Sequence, residues 1–507
     1  MHHDEQSSSS SQSPATSAGK RSSSSSRGTQ HRPSSSGRKA AASFSNNGRA
    51  AGVHTLSGGD HQGALAGKAL AGWEKEFAKN PQYRIAQNAV ANVSVDDIAL
   101  NRAIATTMPQ TFSNRLDEWG ATNQKKSGRC WMFAGLNLFR VGAMRKMNLT
   151  EFEFSQNYTL FWDKLERSNY FLEAIIETAK LPVDDRTVAF LLSRPLDDGG
   201  QWNMFINIIR KHGVVPKEAM PETESSSNTM KMNVMLLTVL RQGGKTLRDL
   251  VGKSKSAEAV RTAKLGILKD VHRILCIHLG TPPSAFDWQW RDKDKAFKRD
   301  GAMTPRKFAD QYITWPIDEY VCLVHDPRPS SPIGRTFTVQ YLGNIVGGEM
   351  VKYLNVDIDT MKSIAMKAMV DHQEPVWMGC DVGKMMRRDQ GLWDAKLFDY
   401  DTVYDTTFNL SKSDRLIYHQ TQMTHAMLFT GVDVVDGKAR RWRVENSWGT
   451  ESGDKGFYAM NDSWFDEYMF EIAARRELLP SKLIKALEQE PIVLPPWDPM
   501  GSLARGA

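Results

Sequence analysis

The chain has 507 residues, 40% hydrophobic and 24% charged, with a formal net charge of +7. That length allows one large domain or two ordinary ones and excludes a minimal scaffold that depends on staples. It contains no run of 18 apolar residues and no charged n-region leading into an apolar h-region. Neither a membrane span nor a secretory signal is therefore expected, and the protein should be soluble and cytoplasmic.

Residues 1–72 hold eight basic side chains against three acids, leaving a surplus of only two positive charges for the other 435 residues. A nearly neutral remainder argues against a phosphate-tracking surface unless basic groups cluster locally or in an assembly. The segment is rich in Ser, Gly, Ala and Arg and nearly lacks bulky apolar side chains, so disorder is expected. It reads either as a solvated tail or as a mitochondrial transit peptide. The Ser- and Arg-rich composition favours the second reading, and Asp4 and Glu5 favour the first.

Apolar density rises at Trp73, and residues 73–90 read as a helix. The stretch Thr122-Asn-Gln-Lys-Lys-Ser-Gly-Arg-Cys130-Trp-Met-Phe-Ala134 then passes from a polar loop into a helix continuing to Met147. Cys130 falls in its first turn, where unpaired N–H groups and the positive end of the helix dipole stabilise a thiolate. Ser127 is a candidate cap, and Gly128 leaves room for a substrate to approach the sulfur. Residues 154–179 form another helix by pattern, and Asp198-Gly-Gly-Gln-Trp202 reads as a turn or a strip of bare backbone. Residues 225–280 read as helical, broken at Gly243-Gly244 and near Lys253. In residues 286–299, Trp288 and Trp290 alternate with basic residues, a pattern that can hold nucleic acid. Interspersed aspartates favour a solvated face instead.

From about residue 318 the pattern is mainly strand-like, apart from a helix at 359–372. Residues 424–435 and 440–446 are rich in strand formers around the Asp436-Gly437 turn signal. A hairpin centred at 435.5 would set His425 beside Asn446. The four cysteines show no C-x-x-C pair, so no disulfide framework, zinc site or cofactor is expected. Cys276 and Cys322 read as packing residues.

A nucleophilic thiol needs a base, a group that orients the base, and donors for an oxyanion. Cys130, His425 and Asn446 can fill the first three roles, and the Gln124 amide with the Cys130 N–H the last. Of the seven histidines outside the tail, His425 stands out because its strand returns to an asparagine. Trp448 could shield the His425–Asn446 bond from water.

Gln124, Ser127-Gly-Arg-Cys-Trp131, Thr424-His-Ala426 and Glu445-Asn-Ser-Trp-Gly449 resemble the site motifs of papain-like cysteine peptidases. Arg129 before the cysteine and the 295 residues from Cys130 to His425 depart from the papain pattern. Both departures, with Phe152-Glu-Phe-Ser-Gln156, Asp198-Gly-Gly-Gln-Trp202 and Trp497-Asp-Pro-Met-Gly501, resemble the bleomycin hydrolase group. The resemblance runs from about residue 73 to the C-terminus. It implies an α+β fold with a helical lobe, a β-rich lobe and inserted helical elements, and a peptidase domain at 73–490 with its helical insertion around 217–300. It also implies a homohexameric ring with inward-facing sites, aminopeptidase activity through a thioester on Cys130, and bleomycin inactivation. By the same resemblance Gly199 and Gly200 bind the substrate chain. It further implies a C-terminal arm, 491–507, lying in the cleft, so that a terminal carboxylate near Ala504 or Arg505 would receive the substrate amine. The sequence runs past a basic residue to Gly506 and Ala507, which suggests trimming. An endopeptidase with a mobile arm and a nucleic-acid-binding ring with secondary peptidase activity are the rival readings.

Overall fold

A computed structural model describes residues 63–116 and 119–504. The expected disorder or targeting role of residues 1–62, and Arg505, lie outside the described residues. The chain divides into two units after Glu74. The helix Gly67–Lys79 begins six residues before the expected point, and a second helix, Pro81–Val90, starts at a break where Asn80 caps the Gln82 N–H. The Gly67-Lys-Ala-Leu-Ala run suits a helix because alanine, leucine and lysine lose little conformational freedom there.

In the larger unit the helix Cys130–Met147 is buried on all sides from Cys130 to Met144. That explains its mixed apolar spacing, since a helix with no solvent face needs no polar stripe. Arg129, not Ser127, occupies the N-cap position. Ser127 Oγ instead donates to the Gln124 carbonyl (2.6 Å) and accepts from Arg129 Nε (2.8 Å), so the loop folds back on itself. The helices Gln156–Glu177 and Trp202–His212 pack beside this central helix, and Trp202 of the second meets Trp377 of the sheet.

Residues 230–279 form two long helices, Met230–Gly252 and Ala257–Leu279, joined around Lys253 as expected. The expected break at Gly243-Gly244 does not occur. A side chain on Gly243 would come within 2.8 Å of Ile267, and Gly244 faces Ile175 and Phe171. These glycines let the backbones approach rather than ending the helix. Residues 286–303 form a hairpin, Phe286–Arg291 with Phe297–Met303. Trp288 is buried and Trp290 Nε1 donates to the Met147 carbonyl (3.0 Å), so both tryptophans serve packing.

The other layer is a mostly antiparallel 12-stranded sheet. At its centre Val376–Cys380 pairs with His425–Val435, which pairs with Lys438–Glu445 and through it with Phe457–Asn461. One core lies between this sheet and the central helix. A second, built on Met427, Phe429, Trp442 and Phe465, is covered by the helices Ile358–Asp371 and Asp462–Tyr468. The architecture is α+β, as expected, with a helical layer packed on a large sheet. Among the described residues no helix is long and apolar enough to cross a membrane. No disulfide joins the cysteines, and Cys322 and Cys380 are buried, whereas Cys276 is only half-buried because its helix face opens to solvent at Ile277.

Candidate active site

Helix and sheet meet where Cys130 begins its helix and His425 begins its strand. Both are fully buried, and the Ala426 N–H points at Cys130 Sγ (3.4 Å). The hairpin turn is Asp436-Gly437, both at positive φ, and Val435 faces Lys438. Its centre is therefore one residue beyond the expected 435.5, and two register shifts follow. Leu428 faces Glu445, so Asn446 lies past the last pair and its side chain reaches back to His425.

That contact fixes the histidine tautomer. His425 Nε2 and the Ser447 N–H each lie 2.8 Å from Asn446 Oδ1. A backbone N–H can only donate, so the amide atom between them is the oxygen and Nε2 must carry the proton. Nδ1 of the neutral ring is then an acceptor, and it has no hydrogen-bond partner among the described residues. Burial lowers the His425 pKa, the Asn446 bond offsets part of that, and Arg388 adds to it, leaving the ring at about 4. Burial thus disfavours the charged ring, and Nδ1 is the ring atom that can take a proton. The Trp448 ring packs 5.0 Å from the His425 ring, and the Arg388 guanidinium lies 4.4 Å from the centre of the Trp448 ring.

Gln124 is pinned. Its Nε2 donates to the Ser127 carbonyl (2.6 Å), its Oε1 accepts from Ser447 Oγ (2.6 Å), and its backbone N–H donates to the Ser447 carbonyl (2.8 Å). The second amide N–H remains to donate elsewhere. Behind these groups Glu445 accepts from Trp119 (2.6 Å), Asn137 (2.8 Å) and Arg140 (2.6 Å). It ties the asparagine strand to the cysteine helix.

The Asp198 loop forms the facing wall. A Cβ on Gly200 would sit 2.5 Å from the Trp131 ring, so only glycine fits there. Gly200 and Ala504 pair as antiparallel strand residues, N–H to carbonyl both ways at 3.1 and 3.2 Å. Gly199 N–H is occupied locally by Asp197 Oδ1 (2.9 Å). Sequence reasoning used only the glycines of this motif and missed Asp198. Its carboxylate takes Lys164, Thr229, Asn233 (2.7 Å) and the Gly128 N–H (3.3 Å). Burial raises the Asp198 pKa, but the charge and hydrogen bond of Lys164 together with the hydrogen bonds of Thr229 and Asn233 outweigh it and hold the group well below the usual carboxylate range.

A thiol, an acceptor nitrogen with a fixed tautomer and a pinned amide, beside a strip of backbone that pairs with an extended chain, can cleave acyl bonds by covalent catalysis. The sequence model of the Peptidase C1-like family matches residues 64–501. The chain belongs to the Peptidase C1-like family. Within this family it is 42% identical to a bleomycin hydrolase from Homo sapiens, over 85% of this chain and 96% of the human one. It is 40% identical to an aminopeptidase C from Lactobacillus delbrueckii subsp. lactis, over 84% and 96% of the two chains. The crystal structure of PepW from Lactobacillus rhamnosis superposes with a TM-score of 0.86 at 42% identity, over 88% of this chain and all of that one. The Peptidase C1-like protein is thus a cysteine peptidase. Among its described residues no group of three His, Cys, Asp or Glu could hold a metal ion.

Proposed function

We propose that this chain is a cysteine aminopeptidase of the bleomycin hydrolase type, releasing N-terminal residues from peptides and related amides. The observation that carries this reading is the Gly200–Ala504 pairing. The chain's own C-terminal arm occupies the backbone strip that an extended substrate would use. A peptide entering beside it can place only its first residue before Cys130, and a carboxylate ending the arm near Ala504 or Arg505 would receive its amino group. Removal of Gly506 and Ala507 would place that carboxylate, and intact-mass analysis of active enzyme checks it.

In this reading His425 Nδ1 takes the Cys130 proton as sulfur attacks the scissile carbonyl. The oxyanion is held by the Cys130 N–H and the second Gln124 amide N–H. His425, now protonated and held by Asn446, gives the proton to the leaving amine. Water, deprotonated by the same nitrogen, then hydrolyses the thioester. Gly199 and Gly200 hold backbone, and Trp448 keeps water from the His425–Asn446 bond. The deciding experiment compares a free-amine aminoacyl amide with its N-acylated form. Turnover of the free form alone, lost in Cys130→Ala, is expected, whereas equal turnover of both would make the enzyme an endopeptidase.

Bleomycin inactivation, a homohexameric ring and a cytoplasmic location with a mitochondrial fraction complete the reading. Light scattering of the purified full chain tests the ring, and fractionation of cells tests the location. Nucleic-acid binding remains the secondary alternative, and binding that survives Cys130→Ala and falls steeply with salt would favour it.

A further inference from the structure

The arm is attached to the body at several places, including the Arg186 guanidinium over the Trp497 ring (3.8 Å) and the Tyr353 hydroxyl donating to the Met500 carbonyl (3.3 Å), and one attachment has no counterpart in the chemistry described so far. Upstream, Ile492–Leu494 pairs in parallel with Thr336–Val339. Downstream, Ser502 Oγ donates to the Met423 carbonyl (2.7 Å), Gln201 Nε2 donates to the Ser502 carbonyl (2.6 Å), and Ala504 pairs with Gly200. Between them stands Asp498. Its carboxylate accepts two hydrogen bonds from the Arg328 guanidinium, at 2.8 and 3.1 Å, and one from the Met500 N–H (2.9 Å) that shapes the turn Pro499–Gly501.

Arg328 is also held by groups outside the arm. Its Nε and one terminal nitrogen lie 2.7–3.1 Å from both oxygens of Asp326, which also accepts from Ser331 Oγ (2.6 Å). Asn355 holds the backbone of Asp326 by its N–H (2.9 Å) and its carbonyl (2.9 Å). The Arg328 and Asp326 side chains are 9% and 3% exposed, and Asp498 is 11% exposed. A planar guanidinium held on one edge offers its other edge to a carboxylate with little ordering cost.

We propose that the Arg328–Asp498 pair is a clamp that keeps the arm in the cleft and thereby sets the preference for a free amino terminus. The proposal rests on the aminopeptidase reading. Both residues act through the arm and touch no reacting atom, so they are specificity-determining residues rather than catalytic ones. Losing the clamp frees the segment after the strand Ile492–Leu494 to leave the backbone of Gly200, which then accepts residues upstream of the scissile bond.

Asp498→Asn is the first test, because Asp326 still satisfies Arg328 and the new amide oxygen can still accept from the Met500 N–H. The full-length enzyme is assayed on one peptide with a free and with an acetylated N-terminus, and kcat/KM is taken for each. The wild-type ratio is expected to fall by about tenfold or more, through new cleavage of the acetylated peptide, as expected for loss of one buried charged partner. Arg328→Lys, which keeps the charge but cannot bridge two carboxylates by their edges, is expected to lower it less and carries the test if Asp498→Asn does not fold. Wild-type enzyme that cleaves both peptides equally overturns the aminopeptidase reading. Wild-type discrimination that persists in a folded variant of either kind overturns the clamp alone.

Discussion

At Cys130 the proposed chemistry depends on one atom, so Cys130→Ala should lower turnover of a free-amine amide by about 10⁴-fold or more, read as steady-state kcat. Asn446→Ala leaves His425 Nε2 buried without its acceptor, and burial already disfavours the charged ring. A cost of about 1–3 kcal/mol corresponds to a loss in kcat of roughly fivefold to 150-fold, with KM little changed. Glu471 offers a pH test away from this site. It is fully buried, one of its oxygens has no partner among the described residues, and burial pushes it up to about 8. Between an unfolded value of 4.5 and about 8, the folded state binds the extra proton, so stability falls as pH rises through that window. Denaturant titrations of wild type and Glu471→Gln at pH 5 and pH 8 should show the wild type losing up to about 4 kcal/mol relative to the variant.

Elements carried by strong local signals were legible in the sequence. Asp436-Gly437 marked the hairpin, and the proline-free run after Cys130 marked the central helix. What local signals cannot report is the neighbour. Gly243-Gly244 read as a break because nothing in the sequence places Ile267 against it, and Ser127 read as a cap although its hydroxyl is taken by Gln124 and Arg129. The candidate site shows the same division. The cysteine, histidine and asparagine carry motifs, whereas Asp198 and Arg328 act through partners tens to hundreds of residues away. Two glycines turn this into a measurement. Gly266, inside Ala257–Leu279, has open space where a Cβ would stand, so Gly266→Ala should stabilise by about 0.5–1 kcal/mol. Gly243→Leu should destabilise by about 1–3 kcal/mol through overpacking, with thermal unfolding as the readout for both.

For the molecule as a whole, the charge distribution in the sequence, nearly neutral after residue 72, predicts that nucleic-acid affinity, if measured, resides in the first 72 residues. Deleting them should abolish any salt-sensitive binding while leaving peptidase turnover intact. The pairing of Ala504 with Gly200 has a consequence at this scale too. An occupant tethered to its own site competes at an effective concentration on the order of millimolar. A long polypeptide diffusing past meets a groove already held by a rival it cannot dilute, so crowding the solution with unfolded protein should not draw the enzyme into cutting chains in their middle.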